Sequence, residues 1–398
     1  MFAREQDSSR PTRIALVGIH GYGVIHLRHL AAMGRAVQLV AVADPQPPVV
    51  GSLPDGTLVF PDQAELLARV TDLDVVIIAT PISTHFQLAT EALKAGVDVY
   101  LEKPPVTSLA DLDELLAIEA ASPGVLQVGF QGLGLHGSPE FAGAVASLSD
   151  VLSIGAVGLW QRSPAYWNRS RWAGMRTLDG VDIVDGAITN PFAHAVVSAL
   201  RLAGVAQRDD VGTVELDLYR ANPIEVDDTS VLRVRAAAGS LGPVSITCAF
   251  TVCAERTAEP YVLVVGVAGT LRFFYTEDRI ELTDADGAVS HVALPRRDLL
   301  ENLIAHRLVG EALVSPLSAS APFMRVLDAI RTSPLPRVIG SALTEVRSDG
   351  TIVVSDVTAW AERAALEGRT FEELGAPWVQ PDRPRVVRPD VEAMFISS

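Results

Sequence analysis

Cysteine is scarce in this chain, and long apolar stretches are lacking. Only two of the 398 residues are cysteines, Cys248 and Cys253, and their spacing fits no zinc motif. No other part of the sequence collects histidine, cysteine and carboxylate ligands, so we predict no metal site. No apolar run approaches the roughly 18 residues of a membrane span, and residues 1–13 lack the apolar region of a signal peptide. We therefore expect a soluble cytoplasmic protein.

Basic residues are also in deficit. The chain has 32 lysines and arginines against 48 aspartates and glutamates, for a net charge of −16. Such an excess of negative charge argues against a nucleic-acid partner, because the phosphate backbone is bound through clustered cations. No internal repeat or low-complexity tract is present. The length and the 48% hydrophobic content are ample for two packed domains.

A glycine-rich loop lies near the start of the chain. Residues 12–17 are typical of a buried strand and run into a loop with Gly18, Gly21 and Gly23, which a helix follows at once. The next strand, 38–43, ends on Asp44, 21 positions beyond Gly23 (44 minus 23). Glycines let a pyrophosphate approach the helix N-terminus, and an acid at this spacing accepts a ribose 2′-hydroxyl. Since a carboxylate repels a 2′-phosphate, NAD is expected rather than NADP.

One position departs from the usual G-x-G-x-x-G spacing of this loop. The second glycine is replaced by His20, with Gly21 beside it. The favoured interpretation is that the His20 side chain turns outward while Gly21 provides the close approach to the pyrophosphate. The alternative, an altered or lost cofactor site, stays open.

Strands and helices alternate from residue 12 to residue 130. Residues 73–79 form an apolar run that ends at Thr80-Pro81, and Ser83 is expected to cap a helix through residue 95. The triplet Glu102-Lys103-Pro104 follows a strand at 97–101, a helix starts near Ser108, and a strand covers 126–130. This alternation predicts a parallel, doubly wound sheet. The Thr80-Pro81 turn and Lys103 then lie at the carboxyl ends of strands, where ligands bind in such sheets.

With these motifs the chain resembles the glucose-fructose oxidoreductase / inositol dehydrogenase family, often called Gfo/Idh/MocA. The resemblance rests on the glycine loop with Asp44, the 79–81 turn with His85, residues 102–105 and residues 128–131. It implies that Lys103 lines the nicotinamide site and that a helix of the second domain carries an Asp and a His four residues apart, here Asn190 and His194. The implied cofactor-binding residues are Gly18, His20, Gly21, Tyr22, Gly23, Asp44, Thr80, Pro81, His85, Glu102, Lys103 and Gln131.

Asn190 stands where the family has an aspartate. Followed by Pro191, it suits the N-cap of a helix that runs to Gly204, and a substrate-binding role is equally open. An amide cannot take a proton, so the acid–base work is assigned to His194, with Asp182 or Asp185 as its candidate assistant. An imidazole with a pKa near 6.5 suits removal of a hydroxyl proton. Lys103, which would stabilise the alkoxide, and His194 are the predicted catalytic pair.

Residues 160–172 collect three tryptophans, one tyrosine and three arginines. Such side chains stack on sugar faces, hydrogen-bond hydroxyls or pair with carboxylates. Bracing of a loop by buried aromatics is the other interpretation. Contact with a sugar or cyclitol is favoured, and the predicted substrate-binding residues are Asn190, Asp185, Arg162, Trp167 and Trp172.

The rest of the second domain is predicted to be a mostly antiparallel sheet followed by helices. The candidate strands are 213–219, 230–236, 244–252, 261–267, 270–275, 280–283 and 289–294, and the candidate helices are 297–313, 321–330 and 357–366. The expected domains are a nucleotide-binding Rossmann domain (11–132), an α+β substrate-binding and oligomerisation domain (133–379) and an irregular tail (380–398). An open sheet with one free face suits subunit pairing, and the resemblance implies a homodimer or homotetramer formed through it.

The expected function is NAD-dependent oxidation of a secondary hydroxyl of a sugar, sugar acid or cyclitol. Two alternatives remain open. One is an enzyme that retains NAD and uses transient oxidation for elimination or glycoside cleavage without net redox change. The other is a catalytically inactive sensor that keeps the nucleotide pocket.

Overall fold

The computed structural model describes residues 10–237, 244–379 and 386–388. Its chain contacts divide it into two compact units. The first contains the N-terminal part through Gln131 together with Asp298–Ser320, and the second contains Gly132–Arg297 and the part that follows Ala321. Within the described ranges, no helix is long and apolar enough to cross a membrane.

The first unit is built on a parallel sheet with helices between its strands. The strands are β1 (Thr12–Val17), β2 (Val37–Ala43), β3 (Leu58–Phe60), β4 (Val75–Ile78), β5 (Asp98–Leu101) and β6 (Leu126–Val128), and the helices are α1 (Gly23–Ala32), α2 (Gln63–Arg69), α3 (His85–Lys94) and α4 (Leu109–Ala121). The strand order is β3-β2-β1-β4-β5-β6, and every pair is parallel. This is the doubly wound order of dinucleotide-binding domains, so the predicted fold is confirmed.

The second unit is built on a ten-stranded mixed sheet. Its first elements are α5 (Pro139–Ala146), β7 (Val151–Leu159), α6 (Pro164–Trp167), β8 (Thr177–Leu178), β9 (Val181–Asp182) and α7 (Ala193–Leu202). The next strands are β10 (Val211–Arg220), β11 (Thr229–Ala236), β12 (Ser245–Thr251), β13 (Tyr261–Gly266), β14 (Gly269–Phe274), β15 (Arg279–Asp284) and β16 (Val289–Ala293). After α8 (Leu299–Val309) come α9 (Ala321–Arg331), β17 (Arg337–Val338), β18 (Thr344–Val346), β19 (Ile352–Val354), α10 (Val357–Glu367), α11 (Phe371–Leu374) and β20 (Val386–Arg388).

The large sheet has the order β16-β15-β14-β13-β7-β12-β11-β10-β17, with β20 also paired to β10. Its pairs are antiparallel except β7 with β12 and β10 with β17. The α+β prediction for this part of the chain is confirmed. The pairing of β20 corrects the expectation of an irregular tail, whose remaining residues lie outside the described ranges.

Strand β7, at the centre of this sheet, was not predicted. Its two glycines weaken the strand signal, yet both are required by close packing. A Cβ on Gly155 would lie 2.7 Å from the Thr247 carbonyl oxygen and 3.0 Å from that of Ala365, and a Cβ on Gly158 would lie 2.3 Å from the Phe192 ring. Since these two residues point to opposite faces, helix α10 and the start of α7 cover opposite sides of the strand.

The expectation of one free sheet face is therefore wrong for the middle of the sheet. Helix α7 packs on β7, β12 and β13 from one side, and α10 packs on the same three strands from the other. The face beside α10 carries Arg272 on β14, whose side chain is 48% exposed.

Helix α8 was placed in the second domain by sequence reasoning, whereas it packs in the first unit. Its apolar residues Leu299, Leu300 and Leu303 join the core around β1 and β4. The Arg307 guanidinium reaches the Asp74 and Asp98 carboxylates at 2.7 and 2.8 Å. The first unit is thus made of two separate stretches of chain.

Candidate active site

The glycine loop between β1 and α1 is held in a shape that only glycine permits. Gly18 has φ +85°, and a Cβ there would lie 2.7 Å from the Ala79 carbonyl oxygen. A Cβ on Gly23 would lie 1.9 Å from the Gly18 carbonyl oxygen. Gly21 has φ +54°, and apart from its two chain neighbours no described residue has an atom within 4 Å of its Cβ position. The backbone at Gly21 is therefore open to close approach, which suits a pyrophosphate at the helix N-terminus.

Asp44 follows β2 and is fixed against this loop. Its Oδ2 accepts a hydrogen bond from the Ile19 N–H and its Oδ1 accepts one from the Gln46 N–H, both at 2.9 Å. Each carboxylate oxygen can accept a second hydrogen bond. Asp44 therefore keeps capacity for a further donor, and its contact with the adenosine ribose stays a prediction.

His20 does not turn outward, contrary to the favoured interpretation. Its Nε2 is buried and lies 4.0 Å from Asp44 Oδ1, although the side chain as a whole is 39% exposed. The ring therefore lies beside Asp44, on the side of the loop where the ribose is expected.

His85 braces two of the loops at the carboxyl ends of the strands. The side chain is buried, with Nδ1 2.9 Å from the Pro104 carbonyl oxygen and Nε2 2.9 Å from that of Thr80. Burial lowers the pKa of His85, and a neutral imidazole donates to only one of the two carbonyls. Because both ring nitrogens face backbone oxygens, His85 holds the Thr80-Pro81 turn against the segment after Lys103. Its role as a cofactor ligand stays a prediction.

The helix that carries His85 begins differently from the prediction. Ser83 lies in a short 3-10 turn, Ile82–Thr84, and makes no capping hydrogen bond to α3. The Thr84 hydroxyl instead bonds the Thr80 hydroxyl at 2.7 Å. The turn is thereby held closed by its own side chains.

Beneath Lys103 lies a buried polar cluster that sequence reasoning missed in part. Glu102 is 7% exposed, and its Oε1 lies 2.9 Å from His26 Nε2 on α1. The Gln131 side chain donates to Glu102 Oε1 at 3.4 Å and to the Tyr100 hydroxyl at 3.3 Å. Glu102 Oε2 accepts from the Lys103 backbone N–H at 3.3 Å. Glu102 thus ties half-buried Lys103 to α1 and to the end of the first unit. The available signal for His26 was its position one turn into α1, but that position alone does not predict which residue it contacts.

In the second unit, Asn190 does not cap the helix that carries His194. The helix begins at Ala193, with Phe192 in the N-cap position. Hydrogen-bonded turns precede it, and the Asn190 amide donates to Asp185 Oδ1 at 2.5 Å. Asp185 also accepts from Arg169 at 2.7 Å and from the Gly174 N–H at 2.9 Å. Burial raises the pKa of Asp185 while Arg169 opposes the shift.

His194 is half-buried in the first turn of α7. Its ring centroid lies 6.2 Å from that of Tyr275, a buried residue whose hydroxyl has no hydrogen-bond partner among the described residues. Tyr275 was not predicted as a site residue. Asp182, offered as an assistant to His194, pairs instead with Arg331 at 3.1 Å.

The segment 160–172 forms a stack of alternating rings and guanidinium groups. Arg162 lies over the Trp160 ring at 4.3 Å and the Tyr166 ring at 5.1 Å, and Arg169 lies over Tyr166 at 3.9 Å and Trp172 at 4.6 Å. The predicted residues Arg162, Trp172, Asp185 and Asn190 are thus brought together around Arg169. Trp167 contacts Tyr166 edge-on, and its buried indole N–H has no hydrogen-bond partner in the described part of the chain.

The fold and the loop geometry define a dinucleotide-binding domain, and comparison with known proteins agrees. Residues 12–130 match the model of GFO_IDH_MocA, an oxidoreductase family with an NAD-binding Rossmann fold. The match covers the N-terminal domain, and over these residues it confirms the resemblance to the Gfo/Idh/MocA family that was drawn from the motifs.

Individual relatives and solved structures match longer parts of the chain at low sequence identity. An inositol 2-dehydrogenase of Acidothermus cellulolyticus is 30% identical over 242 residues, which are 58% of this chain and 58% of that enzyme. The chain thus spans less than two thirds of this relative's length. The WlbA dehydrogenase of Bordetella pertussis, solved with NADH and UDP-GlcNAcA, has a TM-score of 0.64 at 22% identity over 81% of this chain and 95% of that one. Levoglucosan dehydrogenase, solved with NADH, has a TM-score of 0.67 at 18% identity over 81% and 96%.

Proposed function

We propose that this protein is an NAD-dependent oxidoreductase that oxidises a secondary hydroxyl of a sugar, sugar acid or cyclitol. The proposal rests on the position of Lys103, which follows β5 and whose backbone N–H is bonded to buried Glu102. Both residues lie in the part of the chain that matches an NAD-binding oxidoreductase family. The relatives support the substrate class, since they include an inositol 2-dehydrogenase and a levoglucosan dehydrogenase.

The nucleotide preference follows from charge. Gly18, Gly21 and Gly23 would hold the pyrophosphate, and Asp44 would accept the adenosine ribose 2′-hydroxyl. A 2′-phosphate would meet the Asp44 carboxylate, so NAD is preferred over NADP. Bound NAD would supply the acceptor for the hydride that leaves the substrate carbon as that carbon becomes a carbonyl.

The chain's own residues supply the proton chemistry. His194 accepts the hydroxyl proton through its imidazole, and the Lys103 ammonium stabilises the developing negative charge on the substrate oxygen. Asn190, which cannot take a proton, binds and orients a substrate hydroxyl, and Asp185 fixes its amide.

The test is a fluorescence and thermal-shift titration with NAD, NADH, NADP and NADPH, followed by NADH formation with a panel of sugars, sugar acids and cyclitols. We expect tight NAD(H) binding and NADH release with at least one class. Lys103→Met and His194→Gln should each lower kcat by 100-fold or more, on the order of removing an electrostatic or acid–base group. Matched controls are exposed residues, Lys94→Met and His291→Gln, which should leave kcat within about three-fold.

Other outcomes would separate the alternatives. Cleavage of a chromogenic glycoside without NADH release would assign redox-neutral chemistry. Tight NAD binding with no turnover of any kind would assign a sensor. Absence of nucleotide binding would exclude the dehydrogenase.

We infer that copies of the chain pair through the sheet face beside α10, over strands β14 to β16. This face carries Arg272 and Arg279, each stacked on an aromatic ring, of Tyr261 and Phe274 respectively. Light scattering is expected to give a multiple of the 42.3 kDa chain mass, and Arg272→Glu is expected to reduce it. A monomeric wild-type protein would contradict this assembly.

A further inference from the structure

The stacked arginines and aromatic residues of segment 160–172 belong to a closed circle of contacts beside α7, the helix that carries His194. This circle of residues is called the ring below. Trp160 packs on the Phe192 ring at 4.8 Å, just before α7. Two residues before Phe192, the Asn190 amide donates to Asp185, and Asp185 also accepts from Arg169. Arg169 lies on the Tyr166 ring, which Arg162 also contacts. Arg162 completes the ring on Trp160 at 4.3 Å. All of these contacts lie within the second unit.

The charges in this ring do not balance. Arg169 is neutralised by Asp185 at 2.7 Å, and the remaining hydrogen bonds of that carboxylate come from Asn190 and the Gly174 N–H. Arg162 forms no ion pair with any carboxylate of the described residues. Its hydrogen-bonding neighbour is the Tyr166 phenol, which is neutral because burial raises its pKa. The ring therefore carries one uncompensated positive charge, on Arg162.

That charge is held where it is costly. Arg162 is half-buried between two aromatic rings, and burial lowers its pKa. Among the residues that the structure describes, none forms a hydrogen bond with its buried Nε. A guanidinium that has lost part of its hydration is stabilised by an oxyanion that matches its planar fork. Stacking alone would be served by a neutral side chain of similar length. The charge thus indicates a ligand, and its neighbours place that ligand beside the first turn of α7.

We propose that Arg162 binds a carboxylate of the substrate, so that the preferred substrates are sugar acids rather than neutral sugars or cyclitols. This inference rests on the proposed function and narrows its substrate class. A carboxylate matches the single unbalanced charge, whereas a phosphate dianion would leave a net negative charge in the ring. The first turn of α7 adds a favourable field for an anion.

The experiment compares matched substrates that differ only at one carbon, with NAD as acceptor. The pairs are glucuronate with glucose and galacturonate with galactose, and glucose 6-phosphate and myo-inositol are added. In the pair that the wild-type protein turns over faster, kcat/KM for the acid is expected to exceed that for the neutral sugar by at least about 10-fold. Arg162→Met keeps the length and the stacking of the side chain without its charge. It should lower kcat/KM for the acid by about 30- to 100-fold and leave the neutral partner within about three-fold. Arg162→Lys should lie between the two.

Arg171→Met is the control, because Arg171 belongs to the same segment and its side chain is 79% exposed. A second readout is the thermal shift produced by each acid in the presence of NADH, which needs no turnover. The shift is expected in the wild-type protein and in Arg171→Met and absent in Arg162→Met.

Equal kcat/KM for acids and neutral sugars would overturn the inference, and so would an equal loss for both in Arg162→Met. In either case, NADH formation from neutral sugars would still support the proposed function. A preference for glucose 6-phosphate would overturn the carboxylate assignment. If no sugar yields NADH, the proposed function fails, and the thermal shift then decides the Arg162 assignment separately.

Discussion

Buried ionisable residues depend on partners that lie far along the chain, and His26 with Glu102 is the clearest case. The two are 76 positions apart and 2.9 Å from each other. His26→Ala would leave the Glu102 carboxylate without its nearest side-chain partner, so we expect a loss of about 1–3 kcal/mol in the free energy of unfolding. His26→Gln, which keeps a donor, should recover part of it.

Urea unfolding measures this loss, and His29→Ala is the matched control because His29 lies on the same helix with its side chain 31% exposed. Equal unfolding free energies for the His26 and His29 variants would contradict the importance of the pair. Sequence reasoning identified Glu102 from its motif. It missed His26, because helical spacing shows only that a residue faces inward and not which strand end it meets.

Asp227 makes the stability of the protein depend on pH. It is buried, its Oδ2 accepts from Ser230 at 2.9 Å and from the Ile188 N–H at 3.3 Å, and its Oδ1 has no partner among the described residues. Burial raises the pKa of Asp227 to about 6. Since the folded-state pKa lies above the unfolded value near 3.8, the protonated form is favoured in the fold. Its stabilising contribution is complete below pH 4 and is lost as the pH rises through 6.

Asp227→Asn removes the buried charge and keeps an acceptor for Ser230. At pH 7.5 we expect it to raise the free energy of unfolding by up to about 3 kcal/mol, and at pH 4 by much less. Urea unfolding at both pH values tests this, with exposed Asp286→Asn as the control. A gain of equal size at pH 4 and pH 7.5 would show that charge burial is not its cause.

Among single elements, helices α3 and α4 each have a serine near their start, but only the serine of α4 caps its helix. Ser108 caps α4, and its hydroxyl accepts from the Asp111 N–H at 3.1 Å. Ser83, which was also expected to cap a helix, makes no such bond to α3. Ser108→Ala should cost about 1 kcal/mol, and Ser83→Ala should change the unfolding free energy by less than about 0.5 kcal/mol. Thermal and urea unfolding of the two variants compare them directly, and equal losses would refute the distinction.

Sequence reasoning found the elements whose signal is local. The apolar run of β4, the start of α4 near Ser108 and the glycine loop before α1 were all predicted, because each depends on residues that are neighbours in the sequence. Strand β7 was missed because Gly155 and Gly158 serve contacts with Ala365 and Phe192, which lie elsewhere in the chain. The start of α7 was placed too early because Asn190 is engaged by Asp185 instead of the helix. The same holds for the candidate active site. Its motif residues, such as Glu102, were predicted, whereas buried residues that contact them, such as His26, were not.

At the scale of the whole molecule, helix α8 shows what periodicity leaves open. Its amphipathic spacing predicted a helix at 297–313, and the helix is present at Leu299–Val309. Amphipathic spacing predicts that one face of a helix is buried, but it does not predict which of the two units buries that face. Four contacts place α8 with the N-terminal unit. Arg307 pairs with Asp74 and with Asp98. The Gln127 amide donates to the Leu299 carbonyl, and the Ser315 N–H donates to Gln127 Oε1.

The nucleotide-binding unit should therefore not fold from its N-terminal stretch alone. A fragment of residues 1–131 lacks α8, whose Leu299, Leu300, Leu303 and Ile304 are at most 9% exposed in the whole chain. Their burial contributes roughly 6–12 kcal/mol at about 1.5–3 kcal/mol for each side chain, comparable with the 5–15 kcal/mol that typically separates folded from unfolded domains. Asp98 would also lose its Arg307 partner.

We expect the fragment to show no cooperative thermal transition by circular dichroism and no NAD binding. Addition of a peptide of residues 298–320, or its fusion through a flexible linker, should restore both, since it returns the apolar face and the Arg307 guanidinium together. The matched control is the same peptide with Leu303→Lys, which keeps helix propensity but cannot enter the core. A cooperative transition and NAD binding by the fragment alone would mean that the N-terminal stretch is an autonomous domain. Rescue by the wild-type peptide and not by its Leu303→Lys variant would show that the second stretch of chain completes the core of the unit.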